Sequence, residues 1–268
     1  MEKGKDLSIQ EVILTKQKFC NVLLNDAQKI IAGEKEKMRR RRLIFPFEYP
    51  EFQNLIKAFG STCLAQRNQD RNFVIDKYNE SVIKQLYWYV TGNSSFTGDL
   101  TKGLLSQGKY GCGKTVLLET YSMLHNHIVR KLNLNYPVLR FVKSVQLQEQ
   151  IKEQSMEMFV KRPLIIDEFG RESKTVMDYG NISRPISELL SLRSDVGTIT
   201  HATSNFTFNT LSSDEFYGGM IGDRLKPCSI LSHYKAKAEE NDSVTIAYLR
   251  EAVWKFSDQR RPRKVVKK

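Results

Sequence analysis

What the sequence has little of narrows its chemistry first. Its 268 residues hold four cysteines, Cys20, Cys63, Cys112 and Cys228, far apart, with no C-x-x-C pair and no Cys/His cluster at zinc spacing. That excludes a disulfide scaffold and a zinc module, and it predicts reduced thiols in a cytoplasmic protein. Histidine is equally scarce, at four residues. His125 and His127 are two apart on a predicted helix, so they do not share a face and do not form a metal site. No apolar run approaches membrane-spanning length. The charged N-terminus lacks the apolar segment of a secretory signal, and no membrane association is expected. Acid is in deficit: 30 Asp and Glu against 42 Lys and Arg leave a formal charge of +12. Such an excess draws polyanions, nucleic acid among them.

Against this background one stretch organises the chain. Gly108-Lys109-Tyr110-Gly111-Cys112-Gly113-Lys114-Thr115 fits the phosphate-loop pattern G-x-x-x-x-G-K-[ST] without a mismatch. Glycines at 108, 111 and 113 let the backbone turn sharply and bring successive N–H groups onto phosphate oxygens. Lys114 would reach the β and γ phosphates, and the Thr115 hydroxyl would hold Mg²⁺. The neighbours fit the motif. Gly103 to Ser106 is a short apolar run suited to a buried strand, while Leu117, Leu118, Tyr121, Leu124 and Ile128 recur at helical spacing. The loop therefore opens a helix whose N-terminal dipole favours an anion. The expected nucleotide contacts are Gly108, Gly111, Cys112, Gly113, Lys114, Thr115 and Val116, with ATP and Mg²⁺ as cofactors.

Upstream, residues 7–33 are loosely amphipathic and helical, with Gly33 marking the expected end. A charged run from Glu34 to Arg42 follows and closes on four arginines. It is either a solvated continuation of the helix or an arm that contacts phosphates. Pro46 and Pro50 bracket an aromatic connector that breaks any arriving helix. Leu55, Ile56 and Phe59 suit one short helix. Val82, Ile83, Leu86, Tyr89 and Val90 suit another, in which the Tyr87-Trp88-Tyr89 cluster is read as packing. The Gly-, Asn-, Ser- and Thr-rich stretch from Thr91 to Thr101 is a loop. The expected organisation is a small helical region over 1–95, an ATP-binding core over 96–258 and a basic tail over 259–268.

Downstream, strand and helix alternate, which predicts an α/β domain with a parallel sheet flanked by helices. Val138 to Val142 is a strand, and Ser144 caps a helix running toward Phe159. Leu164-Ile165-Ile166-Asp167-Glu168 is an apolar strand that delivers two carboxylates at its C-terminal end, where open parallel sheets place their ligands. Asp167 would complete a Mg²⁺ shell begun by Thr115, and Glu168 would orient or deprotonate an attacking water. The strand from Thr198 to Thr203 ends in Ser204-Asn205, whose amide can hydrogen-bond that water. Arg224 could neutralise charge on a neighbouring subunit's γ phosphate.

These motifs, in this order from about Gly103 to Leu231, resemble those of the AAA+ ATPases, and within them the DnaC-type helicase loaders and IstB-type transposition helpers. The marks are G-x-x-G-x-G-K-T at 108–115, Leu-Ile-Ile-Asp-Glu-Phe-Gly at 164–170, Ala-Thr-Ser-Asn-Phe at 202–206, and Tyr-Gly followed by Asp-Arg-Leu at 217–225. The resemblance implies an AAA+ phosphate-loop fold and an Mg²⁺-dependent ATPase. In it Asp167 and Glu168 form the Walker B pair, Asn205 is the first sensor and Arg224 the arginine finger. It further implies a DNA-associated homo-oligomer that loads or regulates a replicative helicase or a transposase. Ser232-His233-Tyr234-Lys235 matches no second sensor arginine. A small-molecule kinase and a nucleotide-gated interaction module that hardly hydrolyses ATP are the competing readings. A water-activating glutamate followed by Asn205 and Arg224 counts against the kinase.

Overall fold

The computed structural model describes residues 9–40, 42–178, 181–219 and 229–233, all within the unit Met1–Tyr234. Helix α1 (Ile9–Arg40) leads, followed by α2 (Tyr49–Gln66) and α3 (Glu80–Thr91). The core then alternates: β1 (Leu104–Gly108), α4 (Lys114–Lys131), β2 (Arg140–Lys143), α5 (Ser144–Glu153), α6 (Glu157–Val160) and β3 (Leu164–Asp167). A hairpin, β4 (Val176–Asp178) and β5 (Asn181–Ser183), precedes α7 (Pro185–Val196), β6 (Thr200–Ser204), α8 (Phe208–Leu211) and β7 (Ser229–His233).

Five strands form one sheet in the order β2-β3-β6-β1-β7, every adjacent pair parallel. This is the expected α/β phosphate-loop core. Parallel strands are covered on both faces, so they read as continuous apolar runs rather than alternating ones. All four residues of β3 are buried accordingly. Because β1, β3 and β6 run the same way, their C-terminal ends open on one edge of the sheet, where Gly108, Asp167 and Ser204 stand together.

The two helices next before the sheet, α2 and α3, belong to its packing. Phe52, Ile56, Leu86 and Tyr89 from α2 and α3 share one apolar cluster with Leu104, Leu118, Tyr121 and Ile165. The core thus crosses the boundary expected near residue 95. A capping box starts α2, its Glu48 backbone N–H donating to the Glu51 carboxylate at 2.9 Å, with Pro50 in the first turn, where its missing N–H costs nothing. The chain is non-helical from Arg42 to Glu48, around Pro46, but Tyr49, Pro50 and Phe52 already belong to α2, so Pro50 opens a helix rather than closing the connector.

Several local expectations need correction. Helix α1 runs through Gly33 to Arg40. A mid-helix glycine costs only about 1 kcal/mol relative to alanine, and the Glu and Lys that follow are good helix formers. The charged run is thus helix continuation as far as Arg40. Arg42, at the end of the run, turns inward: its Nη1 donates to the Leu100 carbonyl at 2.7 Å and its guanidinium lies 4.5 Å from the centre of the Tyr89 ring. Ser144 is the first residue of α5 rather than its cap; Lys143 holds the cap position, and the Ser144 hydroxyl donates to the Glu168 carbonyl at 3.0 Å. The helix it opens stops at Glu153, and α6 is a separate short turn.

Candidate nucleotide site

Between β1 and α4 the chain makes the tight loop that the motif demands. Gly111 and Gly113 have φ of 78° and 90°, values that L-residues with a side chain rarely adopt. Lys114 folds back over the loop and is buried. Its Nζ donates to the Gly108 and Lys109 carbonyls, both at 2.8 Å, and lies 3.6 Å from Cys112 Sγ. One turn of backbone thus fixes the position of a buried ammonium at the mouth of a helix N-terminus.

The carboxylates of β3 arrive beside it. Thr115 Oγ1 donates to Asp167 Oδ1 at 2.8 Å. Thr203 on β6, which the sequence motifs did not single out, donates to the same oxygen at 2.6 Å. That hydroxyl also accepts the Glu168 N–H at 3.0 Å. Further bonds fasten the turn after β3 to the end of β6: Phe169 N–H donates to the Thr203 carbonyl at 2.8 Å, and Ser204 Oγ donates to the Phe169 carbonyl at 2.7 Å. Within this frame Glu168 adopts φ of 56°, a sparsely populated conformation held by its bonded N–H and carbonyl. Its Oε1 accepts from Arg171 Nη1 at 2.6 Å.

These groups line a cleft of about 220 Å³. From the loop and α4 come Gly111, Gly113, Lys114, Thr115 and Val116; from the strand ends come Glu168, Thr203 and Asn205. Gly108 and Cys112 are not in the lining; the Gly108 carbonyl accepts from Lys114 Nζ, and Cys112 Sγ lies 3.6 Å from it. Asp167 is buried beneath the cleft under the two threonine hydroxyls. Three further residues enter from the turn after α2, namely Arg67, Gln69 and Arg71. Arg224 and the basic tail lie outside the described residues.

The donor set suits Mg²⁺. A threonine hydroxyl and an aspartate carboxylate in contact are hard oxygen ligands of the kind that ion takes, with water or phosphate oxygens completing its shell. Thr115 and Asp167 would hold it there. Among the described residues no group of three or more His, Cys, Asp or Glu could hold a metal ion by itself. No described helix is long and apolar enough to cross a membrane.

Fold and site together define a class: an α/β phosphate-loop core with a strand-end carboxylate pair facing the loop. No family model matches the sequence, and no curated protein matches it. Among solved structures the chain is similar to DnaI at 20% identity, covering 60% of this chain and 88% of that one, with a TM-score of 0.43. It is similar to the DnaC helicase loader at 18% identity over 62% of this chain and 95% of that one, also at 0.43. A third likeness is to AMPPCP-bound DnaA from Aquifex aeolicus, at 13% identity and a TM-score of 0.42. It covers 69% of this chain and only 54% of the DnaA chain.

Proposed function

We propose that the protein is an Mg²⁺-dependent ATPase of the AAA+ type, acting as a DNA-associated switch that loads or regulates a partner, a replicative helicase or a transposase. The observation that carries the nucleotide part of this reading is the Thr115–Asp167–Thr203 hydrogen-bonded triad, set against the buried Lys114 with Glu168 and Asn205 in the same cleft. Lys114 and the loop N–H groups bind and orient the phosphates, and Lys114 neutralises charge that grows on the terminal phosphate during transfer. Thr115 and Asp167 would hold Mg²⁺, which when bound would supply further charge neutralisation. Glu168 directs the attacking water, exchanging its ion pair with Arg171 for that role, and Asn205 hydrogen-bonds the same water.

The net charge of +12 supports a polyanionic partner. A protein partner has a surface to meet on α1, where Leu14, Phe19, Val22, Leu23, Ile30 and Ile31 are all exposed. Arg224 is proposed as the finger supplied to a neighbouring subunit's site.

Two variants test the nucleotide assignment. Lys114→Ala removes the buried counter-charge and should abolish ATP binding in a fluorescent-nucleotide titration. Glu168→Gln keeps the shape of the site and should retain ATP affinity while phosphate release stalls, by roughly 10²-fold or more. Equal ATP affinity in wild type and Lys114→Ala would refute the site.

A further inference from the structure

Nothing in the phosphate-loop or strand-end motifs assigns a role to the turn after α2, yet that turn places two arginines in the nucleotide cleft. We propose that Arg67 and Arg71 form a second anion clamp, supplied by the same subunit, that grips the terminal phosphate of the bound nucleotide and makes the site prefer triphosphate over diphosphate. The inference deepens the ATP-site reading and rests on it.

The turn is built rather than incidental. Helix α2 ends in a reciprocal pair of backbone bonds: Asn68 N–H donates to the Ala65 carbonyl at 2.9 Å and Gln69 N–H to the Leu64 carbonyl at 3.0 Å. With Asn68 at φ of 55° this is a Schellman termination, and asparagine is the side-chain-bearing residue that tolerates the left-handed position best. The chain reverses there and returns along α2. Its far end is pinned by Phe73, whose N–H donates to Ser61 Oγ at 3.0 Å. The Phe73 ring lies over Gly60 so closely that a Cβ at residue 60 would stand 2.5 Å from Phe73 Cγ. Residues 68–72 are thus a short strap fixed at both ends.

The C-cap of α2 and the strap both contribute side chains to the cleft. Arg67 pairs through Nη2 with Glu119 Oε2, a carboxylate one helical turn after Thr115 on α4. Buried Cys63 supports that carboxylate, its Sγ donating to Oε2 at 3.2 Å. The guanidinium has five donors, and the pair with Glu119 engages Nη2, so the fork can serve Glu119 and a phosphate oxygen together. Arg71 is held planar against the strap: its Nε and Nη2 both donate to Gln69 Oε1, at 3.1 and 2.8 Å. Arg67, Gln69 and Arg71 share the cleft with Lys114, Glu168 and Asn205, the groups that surround the transferred phosphate in the site reading. An α or β phosphate is already served by the loop N–H groups. The charge left for these arginines is that on the terminal phosphate.

Glu119 gives the clamp its geometry. Without it the Arg67 side chain would be one flexible cation among many; with it, the guanidinium is fixed to the same helix that carries Thr115. Fixing the fork in advance lowers the entropy cost of each bond made to phosphate.

The experiment compares ATP and ADP affinities by calorimetry for the full chain and for Arg71→Ala, Arg67→Ala and Lys114→Ala, with a thermal melt of each. Arg71 is exposed, so its variant should melt as wild type does. Wild type should prefer ATP; Arg71→Ala and Arg67→Ala should weaken ATP by roughly 10-fold or more while ADP affinity is retained. Lys114→Ala should lose both nucleotides, which separates failure of the site reading from failure of the clamp. If wild type binds both nucleotides and Arg71→Ala leaves the ATP-to-ADP ratio unchanged, the clamp is overturned, whatever becomes of Arg67→Ala.

Discussion

Thr203 joins the two halves of the site at a single oxygen. Its hydroxyl donates to Asp167 and accepts from the Glu168 backbone while fully enclosed, so it sets the carboxylate that faces Thr115 and the backbone of the residue after it. Valine has nearly the same shape and neither bond. Thr203→Val should leave a buried N–H and a carboxylate lone pair unsatisfied, and unfolding free energy should fall by about 1–3 kcal/mol in a denaturant titration. ATPase turnover should fall further than stability alone accounts for, because Asp167 and Glu168 lose their alignment. Turnover at the wild-type level in folded Thr203→Val would show that the loop and Thr115 suffice. Lys114, Thr115, Asp167, Glu168 and Asn205 were legible in the sequence because their spacing is a motif. Thr203 was not, since a threonine in a β-strand is ordinary and its partners come from β3.

At the scale of elements, β6 is held on both sides by polar groups inside apolar surroundings. Arg193 on α7 is buried and donates to the Arg162 carbonyl at 2.8 Å, the Ile199 carbonyl at 2.7 Å and Thr200 Oγ1 at 2.8 Å, and also to the Phe159 carbonyl. It ties the starts of β3 and β6 to one helix. Burial pushes its pKa down to about 10, so it remains protonated at neutral pH. His201 works in the opposite sense. Its Nδ1 accepts the Leu104 N–H at 3.1 Å, joining β6 to β1, and Tyr89 and Tyr121 meet its ring edge-on. Burial, with His125, Arg193 and Arg42 nearby, lowers its pKa from 6.5 to about 3. The unfolded chain then takes up this proton first as pH falls. The stability contributed by the neutral ring is complete above pH 6.5 and is lost progressively toward pH 3. The slope from this one group approaches about 1.4 kcal/mol per pH unit. Chemical denaturation between about pH 6 and pH 4.5 should therefore show a shallower decline for His201→Gln than for wild type. Parallel slopes would mean that His201 does not control the acid limb.

For the whole molecule, the open question is whether one chain makes a complete active site. Arg224 lies beyond the described residues, and as a finger it would act on the neighbouring subunit. Specific ATPase activity should then rise with protein concentration, faster where DNA templates assembly. Arg224→Ala should bind ATP normally and hydrolyse it roughly 10³-fold more slowly. A mixture gives the decisive measurement: Arg224→Ala retains an intact phosphate loop and Lys114→Ala an intact finger, so together they should recover activity at mixed interfaces. A mixture that stays inactive while a pull-down shows co-assembly would remove Arg224 from the mechanism.

The sequence by itself determined the parallel α/β core and the tight phosphate-loop turn, because both are written in local signals. Apolar runs bounded by helical periodicity specify buried strands and their covering helices, and a glycine-rich turn ending in Lys-Thr has few other uses. The helices before the core were legible as helices, but their place was not. That α2 and α3 are part of the same apolar cluster as β1 and α4 depends on contacts across dozens of residues, which periodicity does not encode. The same holds for the strap. Arg67 and Arg71 read as ordinary charged residues near a helix end, and only the Schellman turn at Asn68, the seating of Phe73 on Gly60 and the ion pair to Glu119 bring them to the phosphate loop. Side-chain identity is local, whereas the direction in which a guanidinium is held is set by packing between elements distant in the chain.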